Sequence, residues 1–178
     1  GLYGKPTLVN NVETLCNIPR IILKGVAWFT QVGTEKCPGT MMFSLSGAVN
    51  RPGVYEMPMG TTIRELVDKC GGGVPGGRKV KAVFPGGPAF SMVTVDQLDL
   101  TMDFDSLKKA GTGLGSAGVI VVDDATCMVG LTLKFSNFFK AESCGQCPPC
   151  RMGTINLAAL MTKIEQGEGT EKDMESLL

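Results

Sequence analysis

An α+β fold is predicted for this 178-residue chain, and three patterns predict it. From Thr40 to Asp123, strand-like alternation and glycine- and proline-rich turns dominate. One capped helix interrupts them at Thr62, and helical periodicity takes over after Asp124.

Each element is legible in order. Residues Gly1–Cys37 hold an extended opening and then Val12, Leu15, Pro19, Ile22 and Val26 at helical spacing, with Pro19 expected to kink or restart the helix. This section is too short to bury a core of its own. From Thr40 the period becomes two, with Met41, Phe43, Leu45 and Gly47 opposite Met42, Ser44, Ser46 and Ala48. Asn50-Arg51-Pro52-Gly53 is a turn signal, and Val54–Met57 returns as the second strand of a hairpin. Thr62 and Glu65 form a capping-box pair, Ile63, Leu66, Val67 and Cys70 share one helix face, and Gly71-Gly72-Gly73 ends the helix. Further strands are expected at Lys79–Phe84, around Phe90–Val95 and at Gly118–Asp123. Hairpin, helix and further strands follow the order of a small β-grasp-like domain. After it, Asp123-Asp124 is expected to cap a helix whose stripe is Met128, Leu131, Phe135, Phe138 and Phe139. A second helix is expected over about Thr154–Glu165, closed by Gly167, and a third begins at Thr170 and runs through Met174, Leu177 and Leu178. The chain opens on Gly1 and stops inside that last helix, so it reads as a fragment.

Composition narrows the function. Seventeen basic and seventeen acidic side chains balance to zero, and no basic run recommends nucleic acid as a partner. No apolar run approaches the roughly 18 residues of a spanning helix, and no signal peptide opens the chain, so membrane insertion is not expected. Histidine is absent, which removes the commonest general base and any mixed Cys/His zinc site. Seven cysteines are an odd number, three of them crowded into seven residues, so a reducing, intracellular setting fits better than a disulfide scaffold.

Those three, Cys144, Cys147 and Cys150, stand in Glu142-Ser-Cys-Gly-Gln-Cys-Pro-Pro-Cys-Arg151 at strict C-x-x-C-x-x-C spacing. Two-residue gaps let a turning backbone aim successive soft ligands at one centre. Metal or cluster binding, disulfide chemistry and coincidental core cysteines are the three readings, and the spacing favours the first. A cubane cluster needs a fourth ligand; Cys16, Cys37, Cys70 and Cys127 are the candidates within the chain, although each also fits a small buried residue. Glu142 could complete a zinc site, and Arg151 could offset cluster charge. Gly113-Leu-Gly-Ser-Ala-Gly118 matches G-x-G-x-x-G but precedes a strand, so it is rejected as a dinucleotide loop. Asn10-Asn11-Val12-Glu13-Thr14 sets two amides and a hydroxyl at a helix entrance, where capping competes with binding of a phosphate or a flavin edge.

Two segments, Gly1-Leu-Tyr-Gly-Lys-Pro-Thr-Leu-Val-Asn-Asn-Val-Glu-Thr14 and Glu142–Arg151, resemble hallmarks of the NADH-binding flavoprotein subunit of respiratory complex I and of related NAD(P)-linked hydrogenase and formate dehydrogenase subunits. The resemblance implies residues 1–37 as the tail of an upstream FMN/NADH-binding domain, 38–124 as a soluble-ligand-binding β-grasp domain, and 125–178 as the start of a helical [4Fe–4S] domain. It implies Cys144, Cys147 and Cys150 as three cluster ligands, a fourth beyond Leu178, and Val9, Asn10, Asn11 and Thr14 as residues lining the FMN site. Electrons would pass from NADH through FMN to the cluster and on to quinone. Partners would be the other subunits of a multi-subunit redox complex, among them a thioredoxin-like [2Fe–2S] subunit, in a cytoplasmic peripheral arm. The fragment alone is expected to be inactive and to hold its cluster poorly. The competing reading is a β-grasp ligand or docking module whose cysteines bind zinc.

Overall fold

The structure, a computed structural model, describes residues 1–177 and divides into two compact units, Gly1–Asp123 and Asp124 onward. The first unit opens with a helical turn at Leu2–Gly4, helix α1 (Val12–Lys24) and helix α2 (Val26–Phe29). Neither helix buries a residue. Helix α1 runs through Pro19, so of the two expected outcomes, a kink or a restart, the restart does not occur. Proline removes one N–H donor from the helix ladder. The carbonyl it leaves belongs to Leu15, a residue 45% exposed.

A five-stranded sheet in the order β2-β1-β5-β3-β4 forms the body of this unit. Strands β1 (Thr40–Gly47) and β2 (Gly53–Pro58) make the expected antiparallel hairpin, with Phe43 opposite Tyr55. The alternation is visible in burial: Phe43 and Leu45 are sealed inside while Met42, Ser44 and Ser46 face water. Strand β3 (Val80–Phe84) pairs antiparallel with β4 (Val93–Thr94), and β5 (Gly118–Asp123) inserts between β1 and β3, parallel to the first and antiparallel to the second. As a central strand it is apolar throughout its middle, Val119-Ile-Val-Val122. The G-x-G-x-x-G stretch leads into β5, as its rejection required.

Helix α3 begins at Ile63 and carries both bonds of the Thr62–Glu65 capping box. Its last turn, Leu66–Cys70, widens to π geometry, with the Gly71 N–H donating to the Leu66 carbonyl at 2.9 Å. Ile63, Leu66 and Val67 close one side of a core that also holds Phe43, Val83, Val93, Met102, Leu107, Val119 and Val121. Helix α4 (Phe104–Lys109) was not foreseen. Its N-cap, Asp103, is buried and accepts the Ser106 N–H at 2.8 Å and hydroxyls from Thr101 and Ser106. Burial pushes the Asp103 carboxyl up, but these donors outweigh it and hold the group below the usual carboxylate range.

The second unit is helical: α5 (Met128–Glu142), α6 (Pro148–Glu165) and α7 (Glu171–Glu175). Helices α5 and α6 pack on each other and bury Ser136, Ala158 and Met161. The expected stripe is half-buried at Met128, Leu131, Phe135 and Phe139, whereas Phe138 stays 51% exposed. Two boundaries differ from expectation. Asp123-Asp124 does not cap α5, because Asp123 ends β5 buried against the Arg78 guanidinium at 2.8 Å, and Cys127 occupies the cap. Helix α6 starts at Pro148 rather than Thr154, since proline in a first turn lacks only a donor that the helix would not use. Gly167 follows its end with φ +76°, as expected of a terminator. Helix α7 has a Thr170–Asp173 capping box; of the residues expected to continue it, Leu178 lies outside the described residues.

Asp173 also ties α7 to α6, accepting from Lys163 Nζ at 2.6 Å. That bond first, and the Thr170 donors second, lower its carboxyl from the usual 3.8 to about 2. A carboxyl depressed by folding binds more protons unfolded than folded as the medium is acidified. Its stabilisation is therefore complete above about pH 4 and declines as pH falls toward about 2. Acid titration of the α6–α7 unfolding midpoint checks this: Asp173→Asn should flatten the decline in that window.

No helix among the described residues is long and apolar enough to cross a membrane.

Candidate metal centre

The three clustered cysteines occupy the connection from α5 to α6. Ser143 caps the end of α5, its N–H donating to the Phe139 carbonyl at 3.1 Å, and Cys144 follows it. Gly145 takes φ +74°, a left-handed conformation that reverses the chain where a side chain would be strained. Cys147 is the N-cap of α6, and the Arg151 N–H donates to its carbonyl at 3.0 Å, closing the first turn. Cys150 lies within that turn, with the Thr154 hydroxyl on its carbonyl at 2.9 Å.

All three thiols are exposed. Ser143 Oγ accepts the Gly145 N–H at 3.3 Å and lies 3.5 Å from Cys150 Sγ, so one hydroxyl links both ends of the loop. Arg151 is also exposed and runs past Gly145. Pro148 and Pro149 bring no N–H to the α6 first turn, and the Arg151 N–H is bonded to Cys147. What favours anionic thiolates at Cys147 and Cys150 is therefore the positive end of the helix dipole, with the Arg151 guanidinium nearby. Soft donors at this spacing fit a thiolate-ligated metal or cluster. As placed, no three Cys, Asp or Glu side chains among the described residues gather tightly enough to hold a metal ion. Thiolates repel one another, and a fully assembled ligand shell without its metal is uncommon.

The remaining cysteines are dispersed. Cys16 is exposed on α1, while Cys37 and Cys70 are half-buried and pack against the core of the first unit. Burial pushes the Cys70 thiol up, away from the thiolate that a metal needs. Cys127 caps the opposite end of α5 from Cys144. The 15 residues of α5 span about 22 Å, which rules out a centre shared by both ends in this arrangement.

The Asn10–Thr14 segment sits at the entrance of α1. Asn11 does cap the helix, its Oδ1 accepting the Glu13 N–H at 2.8 Å. Glu13 Oε1 in turn accepts the Met42 N–H at 2.9 Å, at the part of β1 that precedes the β5 pairing. This bond fastens the segment to the sheet. Asn11 and Thr14 line a cavity of about 430 Å³ together with Asn17, Lys36, Met59 and Phe104. Val9, 87% exposed, and Asn10 do not line it. Two polar residues singled out from the sequence are thus brought to one cavity, and two are left on the open surface beside it.

Sequence reasoning overlooked Ser143 and Glu13 as individual actors. Ser143 had a local signal, since a serine two residues before a left-handed glycine accepts that glycine's N–H. The Glu13–Met42 bond crosses 29 residues and had none.

Comparison with known proteins fits this picture. Residues 130–178 match the NADH-ubiquinone oxidoreductase-F iron-sulfur binding region, and residues 42–92 match the SLBB domain. The chain is 50% identical over 177 residues to the NADH-quinone oxidoreductase F 2 subunit of Rhizobium meliloti (strain 1021), covering 99% of this chain and 42% of that protein. It is 45% identical to the NADH-quinone oxidoreductase F subunit of Escherichia coli (strain K12), covering 99% of this chain and 40% of that one. It is also 41% identical to the NADP-reducing hydrogenase HndC subunit of Solidesulfovibrio fructosivorans, covering 99% and 36% respectively. Among solved structures, a chain of an NAD+-reducing [NiFe]-hydrogenase in the H2-reduced state superposes with TM-score 0.84 at 35% identity, over 99% of this chain and 30% of that one. The chain spans about two-fifths of the length of the oxidoreductase relatives it matches. In its cysteine turn, its sequence from end to end and its fold, the chain is similar to NADH-quinone oxidoreductase F subunits and their hydrogenase relatives.

Proposed function

We propose that the subunit containing this chain takes electrons from NADH through FMN, passes them to a [4Fe–4S] cluster held by Cys144, Cys147 and Cys150, and delivers them to quinone through partner subunits. The observation that carries the reading is three exposed thiols within seven residues at the entrance of α6, inside a segment matching an iron–sulfur binding region. Bound, FMN converts a two-electron donor into single electrons and the cluster carries them one at a time without a proton.

The chain's own residues hold and orient. Three thiolates would ligate iron, the α6 N-terminus and Arg151 would offset their negative charge, and a fourth ligand would come from outside this set. No side chain is needed as acid or base, consistent with a chain that has no histidine. Val9, Asn10, Asn11 and Thr14 would hold the flavin, the amides and hydroxyl supplying hydrogen-bonding groups for its polar edge; the Asn11 amide nitrogen is not engaged by the cap. The Glu13–Met42 bond keeps this segment in register with the sheet.

The same reading assigns residues 1–37 to the tail of an FMN/NADH-binding domain, 38–124 to a β-grasp domain and 125–178 to the start of the cluster domain. The hairpin β1–β2, helix α3 and the parallel pairing of β1 with β5 support the β-grasp assignment. Partners are the other subunits of a redox complex, including a thioredoxin-like [2Fe–2S] subunit, with the whole in a peripheral arm. A zinc-binding docking module is disfavoured, since the three thiols lie in a segment matching an iron–sulfur binding region.

The test is to purify the complete subunit anaerobically with its partners and to measure metal, flavin and NADH-dependent reduction of ferricyanide. Iron with acid-labile sulfide, bound FMN and turnover are expected. Zinc in place of iron, or a preparation without flavin and turnover, overturns the proposal.

A further inference from the structure

The Ser143 hydroxyl has a place in the cysteine turn that the ligand set alone does not explain. Its oxygen accepts the Gly145 N–H at 3.3 Å and lies 3.5 Å from Cys150 Sγ, within reach of the larger sulfur atom. Its backbone is fixed by the Phe139 carbonyl at the end of α5. With that oxygen already accepting, the hydroxyl hydrogen remains to be donated. A ligating cysteine is a thiolate, which accepts and cannot donate. With this contact kept once metal is bound, the pair would have one polarity: Ser143 donates and Cys150 accepts.

We propose that Ser143 sets the reduction potential of the cluster by donating a hydrogen bond to the Cys150 ligand sulfur. The inference rests on the reading of Cys144, Cys147 and Cys150 as cluster ligands. Reduction adds one electron and no proton, and the added charge is shared by the ligand sulfurs. A donor at one sulfur then stabilises the reduced state more than the oxidised one. Ser143 keeps its hydrogen in both states, and no covalent bond forms or breaks. Ser143 is a positioning residue, acting on the electron through its hold on Cys150.

The experiment is a dithionite titration of the cluster spin-resonance signal in the complete subunit, comparing wild type, Ser143→Ala and Ser143→Thr. The bond is made in both states and only its strengthening on reduction counts, so its loss should disfavour reduction by up to roughly tenfold. For a single electron that places the Ser143→Ala midpoint more negative by up to about 59 mV. Ser143→Thr retains the hydroxyl and should titrate with wild type. A midpoint does not depend on how many molecules carry a cluster, so partial occupancy of a variant leaves it readable. An unchanged Ser143→Ala midpoint overturns the inference while leaving the cluster intact. So does a threonine variant that follows alanine, or a Ser143→Ala subunit holding no iron at all, which marks a purely structural serine. Wild-type protein without iron overturns the cluster reading itself, and the inference falls with it.

Discussion

Replacing Cys147 by alanine in the complete subunit should remove the iron and its spin-resonance signal while leaving flavin bound. Structural zinc held by four ligands contributes about 10–16 kcal/mol to small zinc-finger domains, and by that measure one thiolate's share is on the order of 3 kcal/mol. That is roughly a hundredfold in affinity, enough for the site to empty during purification. Cys144→Ala and Cys150→Ala should behave alike, because the three thiols share one turn and one helix entrance. Alanine at Cys16, Cys37, Cys70 or Cys127 should leave the iron in place, since these residues lie on α1, against the first core or at the far end of α5. Iron and acid-labile sulfide per subunit check both halves. Full iron in Cys147→Ala, or iron lost from Cys70→Ala, would count against the assignment.

The second large effect is expected in the sheet. Phe43 is fully buried on β1, at the centre of the cluster formed by Ile63, Leu66, Val83, Val119 and Val121. Truncation to alanine removes a ring from a close-packed core and leaves a cavity, costing about 3–5 kcal/mol. Against a total stability of about 5–15 kcal/mol, the first unit would be left marginal. Trp28 is the chain's single tryptophan and lies in that unit, so its fluorescence during urea unfolding reports on it selectively. Val54→Ala, at an exposed position of β2, should change stability by no more than about 0.5 kcal/mol. Equal midpoints for Phe43→Ala and wild type would refute this account of the core.

The elements read correctly from the sequence were those with a local cause. The period-two run of β1, the Thr62–Glu65 capping box and the Thr170 helix start each depend on residues within a few positions of one another. The misread elements involved longer-range competition. Asp123 looked like a helix cap because its neighbours are acidic and polar, but Arg78, 45 residues earlier, holds it at the end of β5. The second helix was expected from about Thr154, yet proline at a helix entrance is favourable, so α6 begins at Pro148 and carries Cys150 in its first turn. Helix α4 was missed although Asp103 is a good cap, because only six residues follow it and their stripe is too short to register.

The site divides in the same way. The sequence by itself determined the donor set of the proposed centre: three soft donors at two-residue gaps, no histidine to compete, and a glycine between them. Tertiary structure alone decided that Ser143 reaches both Gly145 and Cys150, that Asn11 and Thr14 share a cavity with Lys36 and Phe104, and that Glu13 is moored to Met42. The reason is physical. Donor identity and spacing are covalent properties of the chain, whereas a hydrogen bond across a helix junction or 29 residues exists only once packing has fixed both partners.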